Sequence, residues 1–186
     1  MAASNELDPE PAAHAWLYLA RAWDEVARAR DVDGVASAVR STGRAITGAD
    51  GVTFVMRDGD ACHYMAEDAI SPLWSGKRFP MSACISGWCM HHNLPAIIPD
   101  IYADKRIPAE AYRSTFVTSL AMVPLGGPGP LAAIGAYWAR PHTASSGEML
   151  LLEQLARFAA SGLARIERNR RKEESKLAAH PDMQAG

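Results

Sequence analysis

The sequence predicts an α+β fold in which a central antiparallel sheet carries the terminal helices on one face. Two hairpin signals lead to this prediction. Strand-like runs at 52–56 and 61–65 flank Asp58–Gly59, and two apolar runs flank the turn at 126–130. Helical periodicity precedes the first hairpin and follows the second. Strands joined by tight turns pair antiparallel, so the helices must cover one face of the sheet or pair with a second copy.

Two helices are predicted before the first strand. Asp8 and Pro9 are typical of a helix start, and the alanine-rich run 12–30 continues from them. Asp31 is a candidate N-cap for the second helix, which the glycines of 48–51 end. The apolar ladder of this second helix consists of Val32, Val35, Val39 and Ile46, with Gly43 between the last two.

The middle of the chain predicts short elements. In chain order they are a loop with Pro72, Trp74 and Gly76, a strand near 78–81, one or two helical turns at 86–92, a strand at 95–98, and an ordered loop or short helix at 100–114. The second hairpin then pairs 119–125 with 131–139. Long loops in compact domains are usually functional, so 100–114 is expected to lie over the open face of the sheet.

The closing helix begins with a capping box formed by Ser145 and Glu148. Its apolar seam is Leu152, Leu155, Ala159, Gly162 and Ile166. The small residues of this seam permit close helix approach, so a homodimer is expected. Trp16 and Trp23 either complete the core or meet their copies in the same bundle. The polar run 168–176 is expected to be a solvated helix or a frayed tail.

Composition excludes several classes of function. A chain of 186 residues with a net charge of -2 suits one domain with helical extensions, and it argues against nucleic acid or an anionic membrane as partner. The acidic N-terminus does not resemble a signal peptide. The uncharged stretch 119–139 is interrupted by glycines and prolines at 126–130, which break a membrane helix. Three cysteines suggest no disulfide framework, so a cytoplasmic protein is expected.

Four motifs in order resemble the GAF domain family, in particular the GAF domains of bacterial sensor kinases and related signalling proteins. They are Ile85-Ser-Gly-Trp88, the segment 95–106, Ser119-Leu-Ala-Met-Val-Pro124 and Ile134-Gly-Ala-Tyr-Trp138. The resemblance spans residues 31–167. It leaves 1–30 as an N-terminal helical extension and 168–186 as the end of the exit helix with a polar tail.

This resemblance implies a ligand pocket on the face of the sheet opposite the terminal helices. The helix at 86–92 and the segment 100–114 would roof the pocket. In GAF domains the terminal helices commonly mediate dimerisation and pass a signal along the chain axis. Output is therefore expected through a separate kinase or regulator, unless the chain is a stand-alone module with another role.

The candidate ligand-binding residues are Trp88, Asp100, Tyr102, Asp104, Arg106 and Tyr112. Aromatic walls with a few fixed polar groups suit a small-molecule pocket. Arg106 can bind a carboxylate or phosphate through two hydrogen bonds. In the alternative interpretation, Asp100, Asp104 and Arg106 only tie their own loop together.

Cys84 and Cys89 are candidate redox residues, because Cys84 stands at a helix start where the dipole favours a thiolate. His91 and His92 lie close by in the sequence. Their spacing to the two cysteines matches no zinc pattern, so no metal site is predicted.

Cys62–His63 resembles the Cys–His pair that anchors the chromophore in bilin-binding GAF domains. In that family the pair lies in a different segment, which corresponds here to Ala109 and Glu110. Cys62 is therefore predicted to be a small buried hydrophobe.

Enzymatic activity is not predicted. Some GAF proteins reduce free methionine sulfoxide with pocket cysteines, but the matching motif position here is Ser86, and 100–124 contains no cysteine. No nucleophile elbow, phosphate loop or cyclic-nucleotide signature is present. The preferred hypothesis is a cytoplasmic sensory module that binds a small molecule and relays the signal through its terminal helices. The alternatives are a non-sensing dimerisation or partner-binding domain and a thiol redox or chromophore-binding protein; no cofactor is assigned.

Overall fold

The computed structural model describes residues 9–179. Its elements, in chain order, are α1 (Pro9–Arg28), α2 (Val32–Thr47), β1 (Gly51–Asp58), β2 (Ala61–Ala69), β3 (Arg78–Pro80), a 3-10 turn (Met81–Ala83), α3 (Ile85–His92), β4 (Ala96–Ile98), α4 (Ala109–Tyr112), β5 (Ser119–Pro124), β6 (Ala132–Trp138) and α5 (Ser146–Ala179). The predicted cap at Asp8 lies outside the described residues.

The strands form one sheet in the order β3-β2-β1-β6-β5-β4, and every neighbouring pair is antiparallel. The two predicted hairpins, β1–β2 and β5–β6, lie side by side because β1 also pairs with β6. Register in β1–β2 shifts between Phe54 and Val55, where a bulge interrupts the ladder. The predicted α+β fold with an antiparallel sheet is confirmed.

Local capping signals mark where α2 begins and ends and where α5 begins, as the sequence predicts. Asp31 caps α2, since its Oδ1 accepts a hydrogen bond from the Gly34 N–H at 2.8 Å. Gly48 closes the same helix with φ of 61°. The Ser145–Glu148 capping box is complete: the Glu148 N–H donates to Ser145 Oγ at 3.2 Å, and the Ser145 N–H donates to Glu148 Oε2 at 2.6 Å.

The terminal helices α1, α2 and α5 cover one face of the sheet. The largest side chains of this core are Leu19, Phe54, Ile134, Trp138, Leu152 and Leu155, each at most 1% exposed. A Cβ added at Gly162 would lie 2.6 Å from Val26 Cγ1, so α5 touches α1 with no room for a larger residue. The polar run 168–176 continues α5 as an exposed helix. Of the two alternatives for this run, a solvated helix or a frayed tail, the structure shows the solvated helix.

The seam of α5 does not provide a dimer interface. Leu155 and Ala159 are fully buried in the core of their own chain, and Gly162 contacts Val26 of the same chain. The small residues of the seam therefore give no reason to expect a homodimer, and the homodimer itself stays a prediction. Trp16 and Trp23, which did not join the core, remain 50% and 49% exposed on α1.

Within residues 9–179, the helices include none with the length and hydrophobicity needed to cross a membrane.

Candidate functional site

The centre of the sheet face opposite the terminal helices is filled by aromatic side chains. Trp74 lies at the middle of the group, with ring centroids 4.9 Å from Tyr112, 5.4 Å from Tyr64 and 5.5 Å from Tyr137. Only about 10 Å³ of free space remains beside Tyr64, Trp74 and Tyr112. The hollow expected beneath 100–114 is thus occupied, and Tyr112 is a core residue at 3% exposure.

Polar contacts fix this aromatic group in place. The Glu67 carboxylate accepts hydrogen bonds from the backbone N–H groups of Leu73, Trp74 and Ser75. The indole N–H of Trp74 donates to the Ala111 carbonyl at 3.1 Å, which ties its loop to α4. Because buried donors and acceptors are satisfied, the group behaves as packed core and not as a collapsed pocket.

An open cleft of about 470 Å³ lies to one side of this group, and we call it the α3 cleft. The residues that line it come from the end of β1, the 3-10 turn, α3 and the segment 105–106. They are Arg57, Asp60, Met81, Ser82, Cys84, Gly87, Trp88, His91, His92, Lys105 and Arg106. Three permanent cations face one carboxylate, so the cleft is suited to an anion.

Trp88 and Arg106 meet at the α3 cleft. The guanidinium carbon of Arg106 lies 4.4 Å from the Trp88 ring centroid, a cation–π contact. Asp104 holds the other side of the arginine, with Nε to Oδ1 at 3.0 Å and Nη2 to Oδ2 at 2.6 Å. The hydrogen bonds from Arg106 lower the pKa of the Asp104 carboxyl. His92 stacks on Trp88 at 4.6 Å, so the indole contacts two neighbours at the cleft.

The structure brings together only part of the predicted ligand-binding set. Trp88 and Arg106 line the cleft, and Asp104 supports Arg106 from behind. Asp100 accepts a hydrogen bond from the Tyr102 N–H at 2.8 Å, and Tyr102 is 68% exposed; neither lines the cleft. The interpretation that the aspartates tie their own loop together describes Asp100 and Asp104 correctly.

The two candidate redox cysteines lie in different surroundings. Cys84 Sγ lies 2.9 Å from Cys62 Sγ, whereas Cys89 Sγ contacts the Met122 carbonyl at 3.9 Å. Cys84 caps α3 without a side-chain capping bond, and Ser86 Oγ is 3.3 Å from its sulfur. Cys62 is fully buried, as the sequence predicts for a small hydrophobe, but it faces a second thiol.

The three thiols differ in acidity. Hydrogen bonds from Cys62 and from Ser86 lower the pKa of Cys84 to about 7. The hydrogen bond to Cys84, together with burial, raises the pKa of Cys62. Burial raises the pKa of Cys89 to about 12. Cys84 is therefore the thiol most readily ionised, and the largest cause is its contact with Cys62.

Sequence reasoning missed Arg57, Lys105, His91 and His92 as cleft residues, along with the pairing of Cys62. Arg57 lies near the end of a strand and Lys105 lies in a loop, so no periodicity marks them as neighbours. Within the described part of the chain, no group of three or more His, Cys, Asp or Glu side chains is arranged to hold a metal ion.

Solved structures with the same architecture include the free methionine-R-sulfoxide reductase from Neisseria meningitidis in complex with its substrate. It superposes with a TM-score of 0.73 at 19% identity, covering 91% of this chain and 99% of that one. A GAF domain of a phosphoenolpyruvate-protein phosphotransferase from Coxiella burnetii gives a TM-score of 0.72 at 17% identity, covering 85% and 97%.

The chromophore-binding domain of an unusual bacteriophytochrome from R. palustris gives a TM-score of 0.73 at 15% identity, covering 89% of this chain and 65% of that one. No family model matches the sequence, and no curated protein matches it significantly. At these identities the structural matches establish the fold alone. The chain has a GAF-domain fold, as the motif resemblance predicts.

Proposed function

Starting from the GAF-domain fold, we propose that this protein is a cytoplasmic, non-catalytic sensory module that binds a small anion in the α3 cleft. The observation that carries this proposal is the excess of positive charge in the cleft beside the Trp88 ring. Arg57 and Lys105 take part in none of the ion pairs found among residues 9–179, so their charge is available to a ligand. A carboxylate or phosphate group on a small planar or apolar body fits this lining.

Packing supports a route from the cleft to the terminal helices. Helix α3 contacts β5 and β6, and α5 contacts the same two strands. An anion that draws Lys105 or Arg106 toward α3 would change the packing of this helix against the sheet. The relay itself requires that the terminal helices have two arrangements with different ligand affinity.

A panel of inorganic phosphate and small mono- and dicarboxylates tests the proposal by thermal shift followed by calorimetry. We expect at least one of these anions to raise the melting temperature. The R57Q/K105Q double variant should bind it at least tenfold more weakly, which corresponds to about 1.4 kcal/mol. R113Q is the matched control, because Arg113 is an exposed, paired arginine just after α4.

Amide hydrogen exchange with the bound anion tests the relay. Protection should increase in α3 and also in α5. If no anion of the panel stabilises the protein, or if the double variant binds as well as wild type, binding in the α3 cleft is rejected. Binding without any change in α5 would reject the relay alone.

A second candidate function is homodimerisation through α1, alone or together with sensing. Trp16 and Trp23 are seven residues apart and lie on one stripe of the helix, each about half exposed. Trp23 packs edge-on against Phe158 of α5 at 5.0 Å, so the exposed aromatic surface spans two helices. We propose a second copy of this chain as its partner, since terminal helices on one face of the sheet leave this surface uncovered.

A further inference from the structure

Two cysteines from separate elements converge at the inner wall of the α3 cleft. Cys62 lies on β2, where it pairs with Phe79 of β3, and the chain then turns through Met81–Ala83 to place Cys84 at the start of α3. The two Sγ atoms are 2.9 Å apart, although 22 residues separate them in sequence. Close packing maintains this approach: a Cβ added at Gly87 would overlap the Met81 carbonyl oxygen.

The two sulfurs differ in access. Cys84 lines the cleft and retains 8% exposure, whereas Cys62 is completely buried behind it. A reagent that enters the cleft therefore reaches Cys84 first. Cys62 is held at contact distance as the only other thiol of the described residues that touches it. This arrangement supplies an attacking sulfur and a resolving sulfur.

The surroundings of Cys84 favour its thiolate. Cys62 and Ser86 lie within hydrogen-bond distance of the Cys84 sulfur. Arg57 from β1 and Lys105 and Arg106 from the loop face the same cleft, with Asp60 and the two histidines of α3 as the other charged or titratable groups. Arg106 is already paired with Asp104, so Arg57 and Lys105 are the cations of the cleft that form no ion pair within residues 9–179.

We infer that Cys84 and Cys62 form a redox site in which a small hydroperoxide oxidises Cys84 and Cys62 then closes a disulfide. In the first step the Cys84 thiolate attacks one peroxide oxygen. An S–O bond forms, the O–O bond breaks, and the hydroxide (or alkoxide) that leaves takes up the proton lost by Cys84. The sulfur is oxidised by two electrons and the peroxide is reduced.

In the second step the Cys62 sulfur attacks the sulfenic sulfur of Cys84. The S–S bond forms, the S–O bond breaks, and the hydroxyl group leaves as water with the Cys62 proton. Two thiols and one hydrogen peroxide thus give one disulfide and two waters. The low exposure of Cys84 favours a small peroxide over a bulky disulfide, which needs an open in-line approach to the sulfur.

Hydrogen peroxide added to the reduced, full-length protein tests the site. Alkylation of the remaining thiols and peptide mass mapping should show a Cys62–Cys84 crosslink that dithiothreitol reverses. C89S is the matched control and should form the crosslink as wild type does, because Cys89 contacts neither sulfur of the pair.

Two further variants separate the steps. C62A should stop at a sulfenic acid on Cys84 that dimedone traps, and C84S should leave Cys62 unoxidised. If C62A unfolds, C62S replaces it, and circular dichroism shows which variants are folded. The inference would be overturned by three thiols still free in wild type after peroxide or by a crosslink that involves Cys89. Loss of the Cys62–Cys84 crosslink in folded C89S would also overturn it. Oxidation of Met81 alone would also overturn it.

Discussion

At the residue scale, Arg106 is the best-supported side chain of the cleft. It lies over the Trp88 ring and is held through two nitrogens by Asp104. Two-point binding fixes the guanidinium plane, which a single contact does not. Arg106 is thereby kept at the cleft wall, although part of its charge is already neutralised by its own neighbour. The binding of an anion in the α3 cleft must therefore depend largely on the charges of Arg57 and Lys105.

The Asp104–Arg106 pair makes stability depend on pH. Because Arg106 lowers the pKa of Asp104 below its ordinary value of 3.8, the folded state favours the ionised carboxylate. The pair therefore contributes its full stability above pH 3.8 and loses it as pH falls through the lower pKa of the folded state.

We expect D104N to lower the free energy of unfolding by about 1 kcal/mol or less at pH 7, since the pair is partly exposed. The difference from wild type should shrink below pH 3.8. Urea unfolding at pH 7 and pH 3 measures both values. E110Q, which removes the exposed partner of Arg113, is the control and should change stability less. A D104N effect of equal size at both pH values would contradict this assignment.

At the element scale, the 3-10 turn and α3 are packed so closely that only glycine fits between them. Gly87 is a fully buried backbone position facing the Met81 carbonyl oxygen. This contact sets the position of Cys84 at the start of α3 and of Trp88 one residue beyond the glycine. The element therefore links the thiol pair to the cleft wall.

G87A should destabilise the protein by about 1–3 kcal/mol, because the new methyl group would overlap the backbone of Met81, which cannot move aside as a flexible side chain could. It should also slow the Cys62–Cys84 crosslink, since the turn must move away from α3. Thermal unfolding and the rate of crosslinking measure the two effects. G126A is the control: a Cβ there meets nothing within 4 Å, so both quantities should stay unchanged. Equal behaviour of the two variants would show that α3 tolerates the displacement.

At the scale of the whole molecule, the two faces of the sheet are covered in different ways. One face packs on three helices and leaves an aromatic stripe on α1 exposed to solvent. The other is filled at its centre by Trp74 and its neighbours, with the cleft to one side. Ligand and partner would thus meet opposite sides of a single sheet.

The dimer proposal is tested by light scattering coupled to size exclusion. Wild type should have twice the monomer mass, and W16E/W23E should have the monomer mass, because two glutamates in a facing aromatic stripe repel their copies. Y102E is the matched control, as Tyr102 is an exposed aromatic residue on the opposite face. A wild-type monomer, or a dimer that survives W16E/W23E, would reject α1 as the interface.

The fold was predictable because its signals are local. Caps at Asp31 and Ser145, the Asp58–Gly59 turn and the change from helical to alternating periodicity each depend on residues within a few positions of one another. Of the candidate site, Trp88 and Arg106 were found from the sequence because they lie in motif segments. Asp100 and Tyr102 lie in the same segments but do not line the cleft, and Tyr112 lies outside these segments and is buried in the core.

The sequence by itself determined the order of the elements and the antiparallel pairing. Only the tertiary structure decided that the expected hollow is filled, that the seam of α5 is intramolecular, and that Cys62 meets Cys84. The physical reason is that filling a space depends on side-chain volumes from several elements at once. A contact across 22 residues requires the register of β2 and β3, which no local pattern encodes.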